Sequence, residues 1–194
     1  MKIEKMESLS ESIHQWAIDK GFWDGEHSDE EKMVLVITEL SEAVEADRKN
    51  RRADMLTYKN CTGADDILDA DMSLYLIQSF EKLIKDTIED ELADAYIRLL
   101  DLGKARNIEF YDYSDEWDGM RGIAYDNFRN KSFPEIIHAC MVAVLSPKQI
   151  ETRINQSMIS IVWICDHYGI DLERHIELKM EYNHTRERMH GKRY

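Results

Sequence analysis

The sequence predicts an all-α fold, a helical bundle, and three observations carry its helical character. Only 2 prolines and 8 glycines punctuate the 194 residues. Between them Leu, Ile, Ala, Glu, Lys and Met run in long stretches that suit helices. Strand and hairpin signals are few. The length fits one compact domain over residues 1–194, and the 43% of hydrophobic residues is enough to fill its core.

The first helix is expected to begin around Ser8 or Ser10, to carry Ile13, Trp16 and Ala17 on one side, and to stop at Gly21. A loop, GFWDGEHSDEE, follows. Ser28 then caps a second helix over roughly 29–50, in which MVLVI is apolar on nearly every side, so that this helix is expected to be central. The polar stretch from Arg51 to about Asp71 reads as a loop or an inserted excursion. Helical pattern returns from Met72 to Ala105, with room for one break, and Gly103 with Asn107 marks its stop. A second polar segment, YDYSDEWDGMRG, separates the halves. After Pro134 come EIIHACMVAVL, a pause at SPKQ, the apolar run ISIVWICDHYGI, and a last helix capped by Asp171.

A net charge of -14 argues against binding a nucleic-acid polymer, whose affinity rests on a basic surface. An anionic ligand must therefore be received locally, by a metal ion or a small basic cluster. Cys61, Cys140 and Cys165 are odd in number and far apart, and none forms a CxxC pair. That spacing argues against a disulfide framework and a zinc site, and for a reduced, cytoplasmic setting. No apolar run approaches the roughly 18 residues of a membrane span, so no membrane partner is expected.

The candidate chemistry lies in carboxylates. Glu39/Glu42 and Glu91/Asp94 are each spaced i, i+3, which puts each pair on one side of a helix. Among 39 acids such pairs also arise on solvated faces, and spacing alone does not separate the two readings. Their neighbours do more. Glu39 and Glu42 share a stripe with Leu35 and Ala46, and Glu91 follows Ile88 by one turn while Asp94 precedes Ala95 and AYIRLL. Two such helices packed antiparallel would gather four carboxylates around a partly buried point, where repulsion has to be relieved by protons or cations. Oxygen ligands without His or Cys favour Mg²⁺ or Mn²⁺ over zinc.

The segments TELSEAVEADR and EDELADAYIRLLDL resemble the two acidic helices of the MazG-like and dimeric dUTPase superfamily, all-helical nucleoside triphosphate pyrophosphohydrolases that bind magnesium through ExxE and ExxD. Residue by residue, Glu39 and Glu42 match the first motif and Glu91 and Asp94 the second. Position 38, often acidic in that family, is Thr38. The interval between motifs is longer than usual, which implies an insertion near 52–80, and an extra helical segment near 107–157 finds no counterpart. The resemblance covers about half of the chain.

At the C-terminal end, Lys179, Asn183, Arg186 and His190 are spaced to share one helical stripe. Such a stripe can be a solvated basic face near a helix end, or it can receive phosphates. The KxxxN arrangement with a following Arg resembles the phosphate-contacting end of MazG-like chains, which implies that Lys179, Asn183 and Arg186 bind substrate. His14 and Trp23, ahead of the first acidic helix, resemble the base-contacting His and Trp of dCTP-pyrophosphatase-like relatives. The run RKNRR, Arg48 to Arg52, is a further place for phosphate, although a helix C-terminus attracts such charges anyway.

The resemblance implies Mg²⁺-dependent hydrolysis of a (d)NTP to the monophosphate and pyrophosphate, water attacking the α-phosphorus. Glu39, Glu42, Glu91 and Asp94 would be its catalytic metal ligands, and the chain a homo-oligomer, dimer or tetramer. The alternative is a non-catalytic helical bundle whose acids merely solvate helix faces. A di-iron carboxylate protein would need facing ExxH pairs, and none accompanies these acids.

Overall fold

The computed structural model describes residues 1–62, 69–112 and 124–191, and side chains throughout these except at 69–73 and 190. Among the described residues every regular element is helical. The elements are α1 (Ile3–Asp19), α2 (Asp29–Arg48), α3 (Met55–Thr62), α4 (Asp69–Leu83), α5 (Ile88–Ala105), α6 (Phe133–Val144), α7 (Ile150–Tyr168) and α8 (Leu172–Thr185), with a 3-10 turn at Arg188–Gly191.

The start of α1 precedes the expected Ser8 by about a turn and a half. Met6, wholly buried, anchors that extra length, and Ser10 turns its hydroxyl back to the Glu7 carbonyl at 2.8 Å instead of capping. In α2 the cap is as expected. Ser28 accepts from the Glu31 amide at 3.2 Å while the Glu31 carboxylate accepts from the Ser28 amide at 2.9 Å, a reciprocal arrangement that satisfies two end donors.

The expected loop after Arg51 contains a helix. Asp54 opens α3 by accepting from the Thr57 amide at 2.9 Å and the Thr57 hydroxyl at 2.7 Å. Tyr58 of α3, Phe80 near the end of α4 with Ile84 just past it, and Leu178 and Tyr182 of α8 then form a small core of their own. Thus the long interval between the acidic motifs is a helical excursion tied to α8. Its residues 63–68 lie outside the described residues, as does most of the polar segment Tyr111–Gly122 from position 113 onward.

Helix α5, not α2, is the central element. It packs on α1, α2, α7 and α8, and Leu92, Ala95, Tyr96, Leu99 and Leu100 are wholly buried. In α2 the buried residues Met33, Val36, Leu40 and Ala43 form a single stripe, while Val34 of the MVLVI run is 56% exposed. Gly103 does not stop α5 but lies inside it, where a Cβ would stand 2.7 Å from the Phe110 ring. Asn107, in the left-handed region at φ 51°, supplies the stop.

Helices α6 and α7 form a hairpin laid on α2 and α5. Gly169 ends α7 in the left-handed conformation at φ 67°, which an L side chain rarely adopts, and Asp171 caps α8 by accepting from the Arg174 amide at 3.0 Å. No described helix is long and apolar enough to cross a membrane.

Candidate functional site

The antiparallel pairing of α2 with α5 builds the site. Arg106, just past α5, donates to Asp29 at the start of α2 at 2.6 Å, and Arg52, just past α2, donates to Glu89 at the start of α5 at 2.5 Å. Midway between these ends, Glu39 of α2 faces Glu91 and Asp94 of α5. One carboxylate oxygen from each of these three residues lies within 4.8 Å of the others. Glu39 and Glu91 are buried and Asp94 is partly exposed, so the cluster opens on the Asp94 side.

Crowding leaves an electrostatic signature. Burial first, and then Asp94 and Asp90, push the Glu91 carboxyl up to about 9. Burial and Asp94 raise Glu39 as well, against the opposing pull of Arg98. Arg98 on Glu39 and Lys179 beside Asp94 offset part of this crowding, and Glu91 is still held well above its ordinary value. The donor set is all oxygen and drawn from two rigid helices, which fits a hard divalent ion. Glu42, the fourth acid expected, is exposed and stands outside this set, although its charge reaches Glu39.

Lys179 of α8 enters from the other side. Its ammonium donates to Asp90 and approaches Asp94, both at 2.8 Å, with only 6% of its side chain accessible. Burial alone would lower its pKa, but Asp94 and Asp90 outweigh that and hold it above its ordinary range. Asp90 is a site residue that sequence reasoning missed: its i, i+4 relation to Asp94 was the available signal, obscured by the run EDEL. One turn after Lys179, Asn183 is buried with its Oδ1 lacking any hydrogen-bond partner among the described residues. A buried acceptor left so is costly in the absence of a ligand.

The expected basic stripe ends there. Helix α8 stops at Thr185 and Arg186 is extended at ψ 152°, its guanidinium 5.7 Å from the Tyr182 ring and its carbonyl held by Lys20. The chain is drawn back toward α1, where the Met189 amide donates to the Lys20 carbonyl at 2.9 Å. Arg186 therefore does not continue the Lys179–Asn183 line. The RKNRR run is engaged by acids: Arg48 and Lys49 by Glu45, Arg51 by Asp86 and Arg52 by Glu89.

His14 and Trp23 do come together, around an acid that the sequence reading did not single out. Asp101 takes His14 Nδ1 at 2.6 Å and the Trp23 indole N–H at 3.0 Å, and the two rings meet edge to face at 5.2 Å. Lys32 of α2 covers one face of Trp23, its ammonium 4.0 Å from the ring centre. Burial raises the Asp101 carboxyl, and its bonds to His14 and Trp23 partly offset that.

A single stripe of α5 unites these parts. Glu91, Asp94, Arg98 and Asp101 follow one another at spacings of three, four and three, the repeat of one helix face. At 1.5 Å per residue, Asp94 and Asp101 are about 10 Å apart along the axis. The acidic cluster and the aromatic pair are therefore two ends of one surface. Compared with known proteins, the chain matches no family model, no curated protein and no solved structure.

Proposed function

We propose that this chain is a Mg²⁺-dependent nucleoside triphosphate pyrophosphohydrolase of the MazG-like kind, cleaving a (d)NTP to the monophosphate and pyrophosphate. The observation that carries the reading is the convergence of Glu39, Glu91 and Asp94 from two antiparallel helices, beside a buried Lys179 and an unsatisfied Asn183. An acidic bundle whose carboxylates merely solvate helix faces would not bury Glu39 and Glu91 or push Glu91 up to about 9.

In this reading Glu39, Glu91 and Asp94 hold the cation, with Glu42 at the exposed edge. When bound, Mg²⁺, or Mn²⁺ in its place, supplies the charge that neutralises phosphate oxygens and favours attack of water on the α-phosphorus. The Asn183 amide N–H groups donate to the phosphates while its unpaired Oδ1 accepts from a water or hydroxyl of the bound ligand, and Lys179 fixes the orientation of Asp94 and Asp90 while adding positive potential. His14 and Trp23, both hydrogen-bonded to Asp101, present an aromatic edge for base or sugar some 10 Å along the helix from Asp94. Activation of the water falls to a carboxylate of the cluster that is not fully engaged with the cation.

Asp94→Asn is expected to reduce Mg²⁺-dependent pyrophosphate release at least about 100-fold, the scale of a lost electrostatic stabiliser, while circular dichroism remains that of the folded chain. Undiminished release by the folded variant would remove Asp94 from the site.

A further inference from the structure

Between the acidic cluster and the aromatic pair stands a cation that neither assignment uses. Arg98 lies one turn after Asp94 and three residues before Asp101 on the same face of α5. Its Nε and Nη2 both donate to the same oxygen of Glu39, at 2.6 and 2.5 Å. Two donors on one acceptor leave the guanidinium far from saturated, since it has five N–H groups in a planar fork. Among the described residues it donates to Glu39 alone, and Nη1 has no hydrogen-bond partner.

Accessibility separates Arg98 from Lys179, and position separates it from Lys32 and Arg186. Its side chain is 29% exposed, against 6% for Lys179, whose ammonium is enclosed between Asp90 and Asp94. Lys32 lies over the Trp23 ring and Arg186 beyond the end of α8. With the α-phosphate at the acidic cluster and the base toward Asp101, the α-phosphate and its link to the sugar meet Arg98, held on Glu39 of that cluster, before any of these. The planar fork suits a phosphate, which it can bind through two parallel hydrogen bonds.

We infer that Arg98 is a phosphate-binding residue for the nucleotide, held ready by Glu39, and that it competes with the divalent cation for the Glu39 carboxylate. The inference rests on the pyrophosphohydrolase reading. It adds a charged phosphate contact on α5 to that of Asn183 on α8, with Lys179 acting as a positioning residue. The competition has a definite consequence: cation binding draws Glu39 away from the guanidinium and frees the fork as the nucleotide arrives.

The test compares the wild-type chain with Arg98→Met, which keeps the aliphatic stem, and Arg98→Lys, which keeps the charge without the fork. Melting by circular dichroism establishes folding, Mn²⁺ binding is measured by its paramagnetic resonance signal, and turnover is followed by pyrophosphate release. Arg98→Met is expected to raise the nucleotide KM about tenfold or more, one lost charge-assisted contact, with a smaller change in kcat, and to bind Mn²⁺ about threefold more tightly. Arg98→Lys should recover part of the KM. An unchanged KM in a folded variant overturns the phosphate contact while the wild-type activity still stands. Weaker Mn²⁺ binding by Arg98→Met overturns the competition and shows that Arg98 supports the cluster structurally. Absence of turnover by the wild-type chain with every nucleotide overturns the function and this inference together.

Discussion

With its carboxyl pushed up to about 9 by burial and by Asp94 and Asp90, Glu91 is protonated near neutral pH unless a cation replaces the proton. In the unfolded chain the same group ionises near 4.5. Folding therefore binds a proton there, and the stability present at acid pH is lost as pH rises toward 9. Glu91→Gln removes that penalty. It is expected to stabilise the fold by on the order of 2 kcal/mol at pH 8 in EDTA, measured by urea unfolding, while abolishing turnover. A variant that is both less stable and inactive would contradict the electrostatic account of this residue. His175 has the opposite sign. Burial holds its pKa below 6.5, outweighing Glu89 and Asp171, with Arg174 and Arg52 acting in the same direction as burial. The unfolded chain takes up the proton first as pH falls through about 6.5, so the wild type loses stability below that value. Between pH 7.5 and 5.5, His175→Gln should lose less stability than the wild type by about 1 kcal/mol, again by urea unfolding.

At the scale of elements, the acidic pairs were legible because i, i+3 spacing beside an apolar seam is visible in a string of letters. Glu39, Glu91 and Asp94 meet as that spacing predicts, whereas Glu42 lies on the solvent side of α2, a rotation that depends on how α2 seats on α5. Extending the α5 stripe from Asp94 to Arg98 and Asp101 needed no structure, but their partners Glu39, His14 and Trp23 come from distant segments. Helix α3 was hidden because its chief signal is the Asp54–Thr57 cap within a polar stretch. Gly103, read as a stop, is a point of close approach, and that distinction depends on where Phe110 folds back. Gly103→Ala is accordingly expected to destabilise by about 1–3 kcal/mol, the cost of overpacking, in thermal or urea unfolding. An unchanged midpoint would show that the Phe110 ring moves freely.

Across the whole molecule, one central helix carries the account. Helix α5 is buried on nearly every side by α1, α2, α7 and α8, and the face that it keeps polar runs from the acidic cluster through Arg98 to the His14–Trp23–Asp101 group. Among the described residues Glu39, Asp90 and Asp94 each meet a basic side chain, whereas Glu91 is buried without an ion pair, which destabilises the fold. The all-helical class followed from composition. The centrality of α5 did not, because the MVLVI run of α2 is the more apolar string. The most direct measurement is the product pattern when the chain is incubated with a panel of canonical and modified (d)NTPs and Mg²⁺, resolved by phosphorus NMR. The account predicts equimolar nucleoside monophosphate and pyrophosphate from at least one of them, and neither when EDTA replaces Mg²⁺. Orthophosphate with a diphosphate, or no product from a folded sample across the whole panel, would contradict it.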